Sequence, residues 1–453
     1  MLFRAHLLSP SASARLLDVP DGGLAVDAAG RILAAGPWEV VAAALPGEPV
    51  QDLRPLWLLP GLVDLHSHLP QYPAVAIDGM ELLPWLDHCI FPAERRFADP
   101  EQAGGAARIY FRDQLALGVT TAVVYGSVHP EATRRAFMAA EQAGIRVVLG
   151  KVLMDQNAPD GMAETTAAAL DQSEALCVDW HGRDGGRLQY AFSPRFAPTC
   201  SMALLRGVAH LAAKHGAYVQ THLSENLQEL QWVHELFPAA RDYTDVYASA
   251  GLLGPGTLLG HGIHLSARER RAIQASGAAI VHCPRSNAFL QSGIMPLRRW
   301  LDEGLCVGLG TDVAAGLSLD LWAEMAMACT ASKLRRAGQQ LQGQRLAALD
   351  LPPGDRERVA RALELEPDLP VDPVTAFTLA TLGGARALGQ DGRIGSLEAG
   401  KDADFLLVDP DVTDPEPGRA EPPERVLGRL LYRSDARMIR ATYVRGRLCH
   451  RLA

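Results

Sequence analysis

The chain has 453 residues, 48% of them hydrophobic and 21% charged, with a mean hydropathy of +0.01. That profile fits a folded, water-soluble protein with room for two or three domains, or for one large α/β barrel with an appendage. Lys and Arg number 43 against 52 Asp and Glu, a net charge of −9, so no overall basic field draws nucleic acid or an acidic membrane surface. No apolar run reaches the roughly 18 to 20 residues of a membrane helix. The seven cysteines are odd in number and form no Cys-x-x-Cys pair, which speaks against a disulfide framework or zinc ribbon and for a reducing cytoplasm.

The opening stretch carries Arg4 and His6 inside what would be the apolar core of a signal peptide and runs on to Asp18; it reads as a strand. Apolar runs then alternate with turn signals at Asp21-Gly22-Gly23 and at 27–30, predicting short antiparallel strands joined by tight turns. Residues 404–408 and 438–444 repeat the style. The two β-rich ends, 1–57 and 391–453, are expected to form one small, discontinuous β-sandwich-like domain.

From 58 to 390, short β-type runs alternate with helical stretches, the pattern of βα units around a parallel sheet. Eight strands are predicted, at 62–64, 120–125, 147–152, 188–192, 217–220, 257–260, 279–282 and 306–309. Stretches such as 201–215 and 266–276 have the apolar spacing of helices that pack one face on a barrel. The expected fold class is α/β, a (β/α)8 TIM barrel carrying the small β domain. Residues 334–372, Gln-rich and charged and containing Pro352-Pro353-Gly354, break the pattern and read as an inserted, solvated helical segment.

His66 and His68 end the first barrel strand. At a period of two their side chains share one face, and neutral imidazoles there are ready ligands for a divalent metal. A lone His-x-His is a weak signal. It gains weight because His222, His261 and Asp312 follow predicted strands five, six and eight, at the face where barrel active sites lie. His129 and His282 also follow strands and are further pocket candidates, whereas His264 reads as structural. Glu225, three residues after His222, has two readings: a carboxylate brought beside the metal, or a helix first-turn acid favoured by the dipole.

The order His-x-His, His, His, Asp resembles the amidohydrolase superfamily. The blocks HLPQYP (68–73), IFPAERRF (90–97), SPRFAPTC (193–200), THLSEN (221–226), GHGIHLS (260–266), CPRSN (283–287) and GLGTDVAAG (308–316) narrow the resemblance to the guanine deaminases over nearly the whole chain. The segment 334–372 departs from the family pattern, as does Ala315, where the family often has Gly. The resemblance implies a cytoplasmic homodimer that hydrolyses guanine to xanthine and ammonia, with one zinc ion per chain and no nucleic-acid or membrane partner.

On that pattern His66, His68, His222 and Asp312 are the metal ligands, zinc lowers the pKa of a water toward about 7, and His261 stands beside that water. Glu225, His261 and Asp312 are the implied catalytic residues, Glu225 giving a proton to ring N3 and helping to protonate the departing ammonia. Substrate contacts are implied for His68, Gln71, Arg195, Phe196, His222, Glu225 and Asp312. The Gln71 amide offers donor and acceptor, the Arg195 guanidinium offers fixed donors to a carbonyl oxygen, and Phe196 packs on the ring face.

Binuclear relatives bridge two metals with a carbamylated lysine ending the fourth strand; Lys151 ends the third, so it reads as structural and the site as mononuclear. The other zinc deaminase plan is half matched by His129-Pro130-Glu131, but no Pro-Cys-x-x-Cys accompanies it. Two rivals stay open: the same machinery acting on another amino-substituted heterocycle, such as a pterin, a triazine or an oxidised guanine, and an inactive barrel serving as a binding or scaffold module. The acidic balance disfavours a deaminase acting on nucleic acid.

Overall fold

The computed structural model describes residues 1–11, 16–362, 368–417 and 421–452. The portions of the expected N-terminal strand, inserted segment and C-terminal domain at 12–15, 363–367, 418–420 and 453 lie outside the described residues.

Four strands open the chain: β1 (Leu2–Pro10), β2 (Leu16–Val26), β3 (Ile32–Pro37) and β4 (Val50–Pro60). Next come β5 (Leu62–His68), β6 (Val119–Tyr125), β7 (Arg146–Gly150), the short β8 (Val152–Leu153), β9 (Leu188–Pro194) and β10 (Tyr218–Leu223). After them run β11 (Thr257–His261), β12 (Ala279–His282), β13 (Cys306–Leu309), β14 (Phe405–Val408), β15 (Ile439–Val444) and β16 (Arg447–Arg451).

Strands β5, β6, β7, β9, β10, β11, β12 and β13 pair in parallel in that order, and each of the eight predicted strands falls on one of them. The ends of the series meet: the Asp312 N–H, just past β13, donates to the His66 carbonyl on β5 at 2.7 Å. The result is a (β/α)8 barrel. Every residue of β5, β6 and β7 is buried, as parallel strands covered on both faces must be. The helices Met202–His215 and Ala267–Ser276 start where Ser201 and Ser266 accept backbone N–H groups of the first turn, and end at Gly216 and Gly277 in the left-handed region.

The chain ends meet in one seven-stranded sheet, ordered β16-β15-β14-β4-β1-β2-β3. Phe405 stacks on Tyr443 at 4.4 Å with Phe3 edge-on to both. The expected turn at Asp21-Gly22-Gly23 is not one: β2 runs straight through it, with Gly22 opposite Ala5 and Gly23 opposite Arg4. A Cβ on Gly22 would lie 2.7 Å from that of Leu7, so the glycine serves a close strand approach beside a bulge. The turn at 27–30 forms as expected, with Asp27 Oδ1 accepting from the Ala29 and Arg31 N–H groups.

The helix after β13 runs unbroken from Leu321 to Ala347, so the first part of the expected insertion extends a barrel helix. The next helix, Pro353–Ala362, has no buried residue up to position 360 and fits the solvated reading. The return is anchored: Asp368 accepts from Arg299 Nε at 3.1 Å and Arg335 Nε at 3.0 Å, and its N–H donates to buried Gln339. Among the described residues no helix is long and apolar enough to cross a membrane.

Candidate active site

The ends of four barrel strands converge on one point. His68 Nε2 lies 3.2 Å from His66 Nε2 and 3.1 Å from His222 Nε2; Asp312 Oδ1 lies 3.3 Å from His66 Nε2 and 3.4 Å from His68 Nε2. Bonds of about 2.0–2.1 Å to a shared ion hold neighbouring ligand atoms about 3 Å apart, so the separations within this group suit a metal of zinc's size. The ligand atoms of His66, His222, His261 and Asp312 also all lie within 4.8 Å of one another. His261 and Asp312 have φ of 65° and 47°, left-handed bends at the strand ends. Two glycines make room for His66: a Cβ on Gly260 would lie 2.7 Å from its Cε1, and one on Gly310 2.6 Å from its Cβ.

Outer contacts orient these groups. His222 Nδ1 lies 2.6 Å from the Arg195 carbonyl; a carbonyl only accepts, so the proton sits on Nδ1 and Nε2 keeps its lone pair for an ion. Burial lowers His68 to about 4 and His222 well below the usual imidazole value, which keeps both rings neutral and fit to ligate. Ser286 donates to Asp312 Oδ2 at 2.5 Å, and His261 Nδ1 lies 2.9 Å from Asn287 Oδ1.

Glu225 is not a first-turn acid. The helix Leu227–Leu236 is capped by Asn226, and the capping box is closed by Glu229, which accepts from the Glu225 and Asn226 N–H groups. Ser224, with φ of 48°, turns the chain before it. Glu225 Oε2 stands 3.3 Å from His261 Nε2, and Ser292 donates to its Oε1 at 3.4 Å. Burial, then the charges of Asp312 and Glu229, push its carboxyl well above the usual range.

A cavity opens over this group, and every residue expected to touch substrate, namely His68, Gln71, Arg195, Phe196, His222, Glu225 and Asp312, lines it. His261 lines it too, and Leu82, Trp85, Leu86 and Leu290 supply apolar wall. His129 and His282 do not line it; burial drives His282 to about 3. His264 does not line it either, and its Nε2 lies 2.8 Å from the Ser292 carbonyl. Lys151 is fully buried, its Nζ 2.5 Å from Glu164 Oε2, and stands outside the ligand group.

Sequence reasoning gave no role to Glu94, Asn287, Ser286 or Asp64. Glu94, 2% exposed, accepts from Gln71 Nε2 at 2.9 Å and from Arg195 Nη1 at 2.9 and 2.7 Å. The only sequence signal for the first three is that they fall within the blocks IFPAERRF and CPRSN.

The sequence profile of the amidohydrolase family matches residues 57–349 and 356–449. Guanine deaminase of Escherichia coli (strain K12) is 35% identical over 447 residues, 98% of this chain and 94% of that protein. The crystal structure of a guanine deaminase from C. acetobutylicum with guanine bound in its active site superposes with a TM-score of 0.86 at 30% identity, covering 99% of both chains. An adenosine deaminase from Xanthomonas campestris with bound zinc superposes with a TM-score of 0.80 at 25% identity, covering 99% of this chain and 92% of that one. The chain belongs to the amidohydrolase family and, within it, to the guanine deaminases.

Proposed function

We propose that the protein hydrolyses guanine to xanthine and ammonia, with one zinc ion per chain held by His66, His68, His222 and Asp312. The observation that carries this reading is the juxtaposition of a close-set group of three imidazoles and one carboxylate with Gln71 and Arg195 on the wall of the same cavity. The guanine-bound relative supports the substrate and the zinc-bound relative supports the ion. A divalent ion at this position supplies Lewis-acid activation of water at neutral pH.

The chain's own residues do the rest. Arg195 donates to the ring carbonyl oxygen, Gln71 pairs with the neighbouring edge, and Phe196 covers the ring face, bringing C2 over the ligand group. His261 and Asp312 hold the attacking water. Glu225 takes the proton that water loses on adding to C2 and delivers it to N3. The amine then leaves as ammonia with the proton of the new C2 hydroxyl, carried over by the same carboxylate.

Two finer points go with the reading. The seven cysteines stand as free thiols, which supports a reducing, cytoplasmic setting; the homodimer rests on the family resemblance alone and is checked by sedimentation. A spectrophotometric guanine assay with elemental analysis of the same sample tests the whole. Stoichiometric metal with turnover of guanine is expected. Turnover of a pterin or triazine but not guanine moves the assignment within the superfamily, and metal without hydrolysis of any ring favours a binding module.

A further inference from the structure

We infer that Glu94 is a positioning residue that fixes the orientation of both purine-reading side chains and thereby sets the choice between a 6-oxo and a 6-amino purine. The inference rests on the guanine reading above. Glu94 lies behind the cavity wall, on the short helix Phe91–Arg95, and reaches Gln71 and Arg195 at once. Both its oxygens accept from Arg195 Nη1, and Phe91, three residues earlier, lies under the same guanidinium at 5.0 Å. Nη1 is thus engaged, and Nε and Nη2 remain as the donors for a ligand.

Gln71 is locked as firmly. Its Nε2 donates to Glu94, and its Oε1 accepts from the Ala314 N–H at 3.3 Å. An amide flip would set Oε1 against a carboxylate and Nε2 against an N–H, so it is blocked from both sides. With Arg195 limited to donating and Gln71 unable to swap its ends, a purine carrying a carbonyl at C6 finds partners. One carrying an amino group there sets donors against donors in a buried site, the situation in which polar pockets discriminate most strongly. The carboxylate also balances the Arg195 charge, which is otherwise buried at 4% side-chain exposure.

The test is the variant Glu94→Gln, similar in size and without the charge, assayed for guanine turnover and for competitive inhibition by 2,6-diaminopurine. We expect the guanine KM to rise by about tenfold or more and kcat to stay within about threefold. The inhibition constant of 2,6-diaminopurine should hold or fall, so that discrimination narrows by about tenfold. Glu94→Asp, which keeps the charge on a shorter arm, should lie between the variant and the parent and serves alone if Glu94→Gln does not fold. Equal weakening of both ligands, a loss confined to kcat, or no change in either variant overturns the inference. A parent protein that does not act on guanine at all overturns the functional reading instead.

Discussion

Asp64 and Thr311, 247 residues apart, are joined twice: Asp64 Oδ1 accepts from the Thr311 N–H at 2.9 Å and Oδ2 from its hydroxyl at 2.6 Å. The pair clasps the first barrel strand to the end of the last, two residues before His66 and one before Asp312, so the same bonds that close the barrel set the spacing of two ligands. Asp64 also accepts from Gln114 and from the His66 N–H. Asp64→Ala strands several buried donors at once, and should cost about 2–4 kcal/mol in urea unfolding while weakening metal retention. A change below about 0.5 kcal/mol, the range of a neutral surface substitution, would remove the clasp from the account.

Gly260 should be indispensable to the metal centre for a steric reason. An alanine there brings its Cβ to 2.7 Å from His66 Cε1 and 3.0 Å from Nδ1, so the ring or the strand must shift. Gly260→Ala is expected to lower metal affinity by about 10–100-fold, read by competition with a chelator, with the secondary structure retained by circular dichroism. Gly254→Ala, at a glycine with nothing within 4 Å of the added carbon, is the control and should bind metal as the parent does. Equal affinity in the two variants would mean that the His66 ring accommodates the methyl freely.

Metal holding and proton transfer should separate by mutation. Glu225 lies next to His261 without belonging to the proposed ligand set, so Glu225→Gln should keep full metal content and lose about 10²–10⁴ in kcat. His66→Ala should lose the metal itself. Near-normal guanine hydrolysis by Glu225→Gln would strip Glu225 of its shuttle role, and full metal in His66→Ala would reassign the ligand set.

The legible parts of this fold were those written in local text. The eight barrel strands show as short apolar runs with Gly or charged punctuation, and His66 and His68 share a face because strand periodicity is two. Ser201 and Ser266 announce their helices because a hydroxyl before an apolar-periodic stretch caps them. Local text also misled: Asp21-Gly22-Gly23 looks like a hairpin turn, yet Gly22 is there because Leu7 presses on it from the neighbouring strand. The segment from 334, expected to be an inserted helical stretch, starts inside the continuous helix Leu321–Ala347, since its polar residues remain good helix formers. Glu94 was silent because its meaning lies in two partners, Gln71 and Arg195, 23 and 101 residues away. Glu225 was ambiguous because its assignment depends on which acid, it or Glu229, closes the capping box.

The joint between barrel and sheet should be acid-labile in a defined way. Arg146, at the start of β7, is buried and donates to Asp402 Oδ2 at 2.8 Å and Asp404 Oδ2 at 3.0 Å, and Arg393 donates to Asp402 at 2.8 Å. Burial alone would raise the Asp402 pKa, but Arg146 and Arg393 outweigh it and hold it below the ordinary value of 3.8. A carboxylate depressed in the folded state contributes stability that is fully present above its unfolded pKa and is lost as pH falls through the folded one. Asp402→Asn never carries that charge. It should therefore be less stable than the parent by about 1–3 kcal/mol near pH 7, and the gap should narrow as pH drops below about 4. Urea unfolding of parent and variant at about pH 7, 4 and 3 measures this, and a gap that stays constant across the series would show that the ion pair does not couple the two parts through protonation of Asp402.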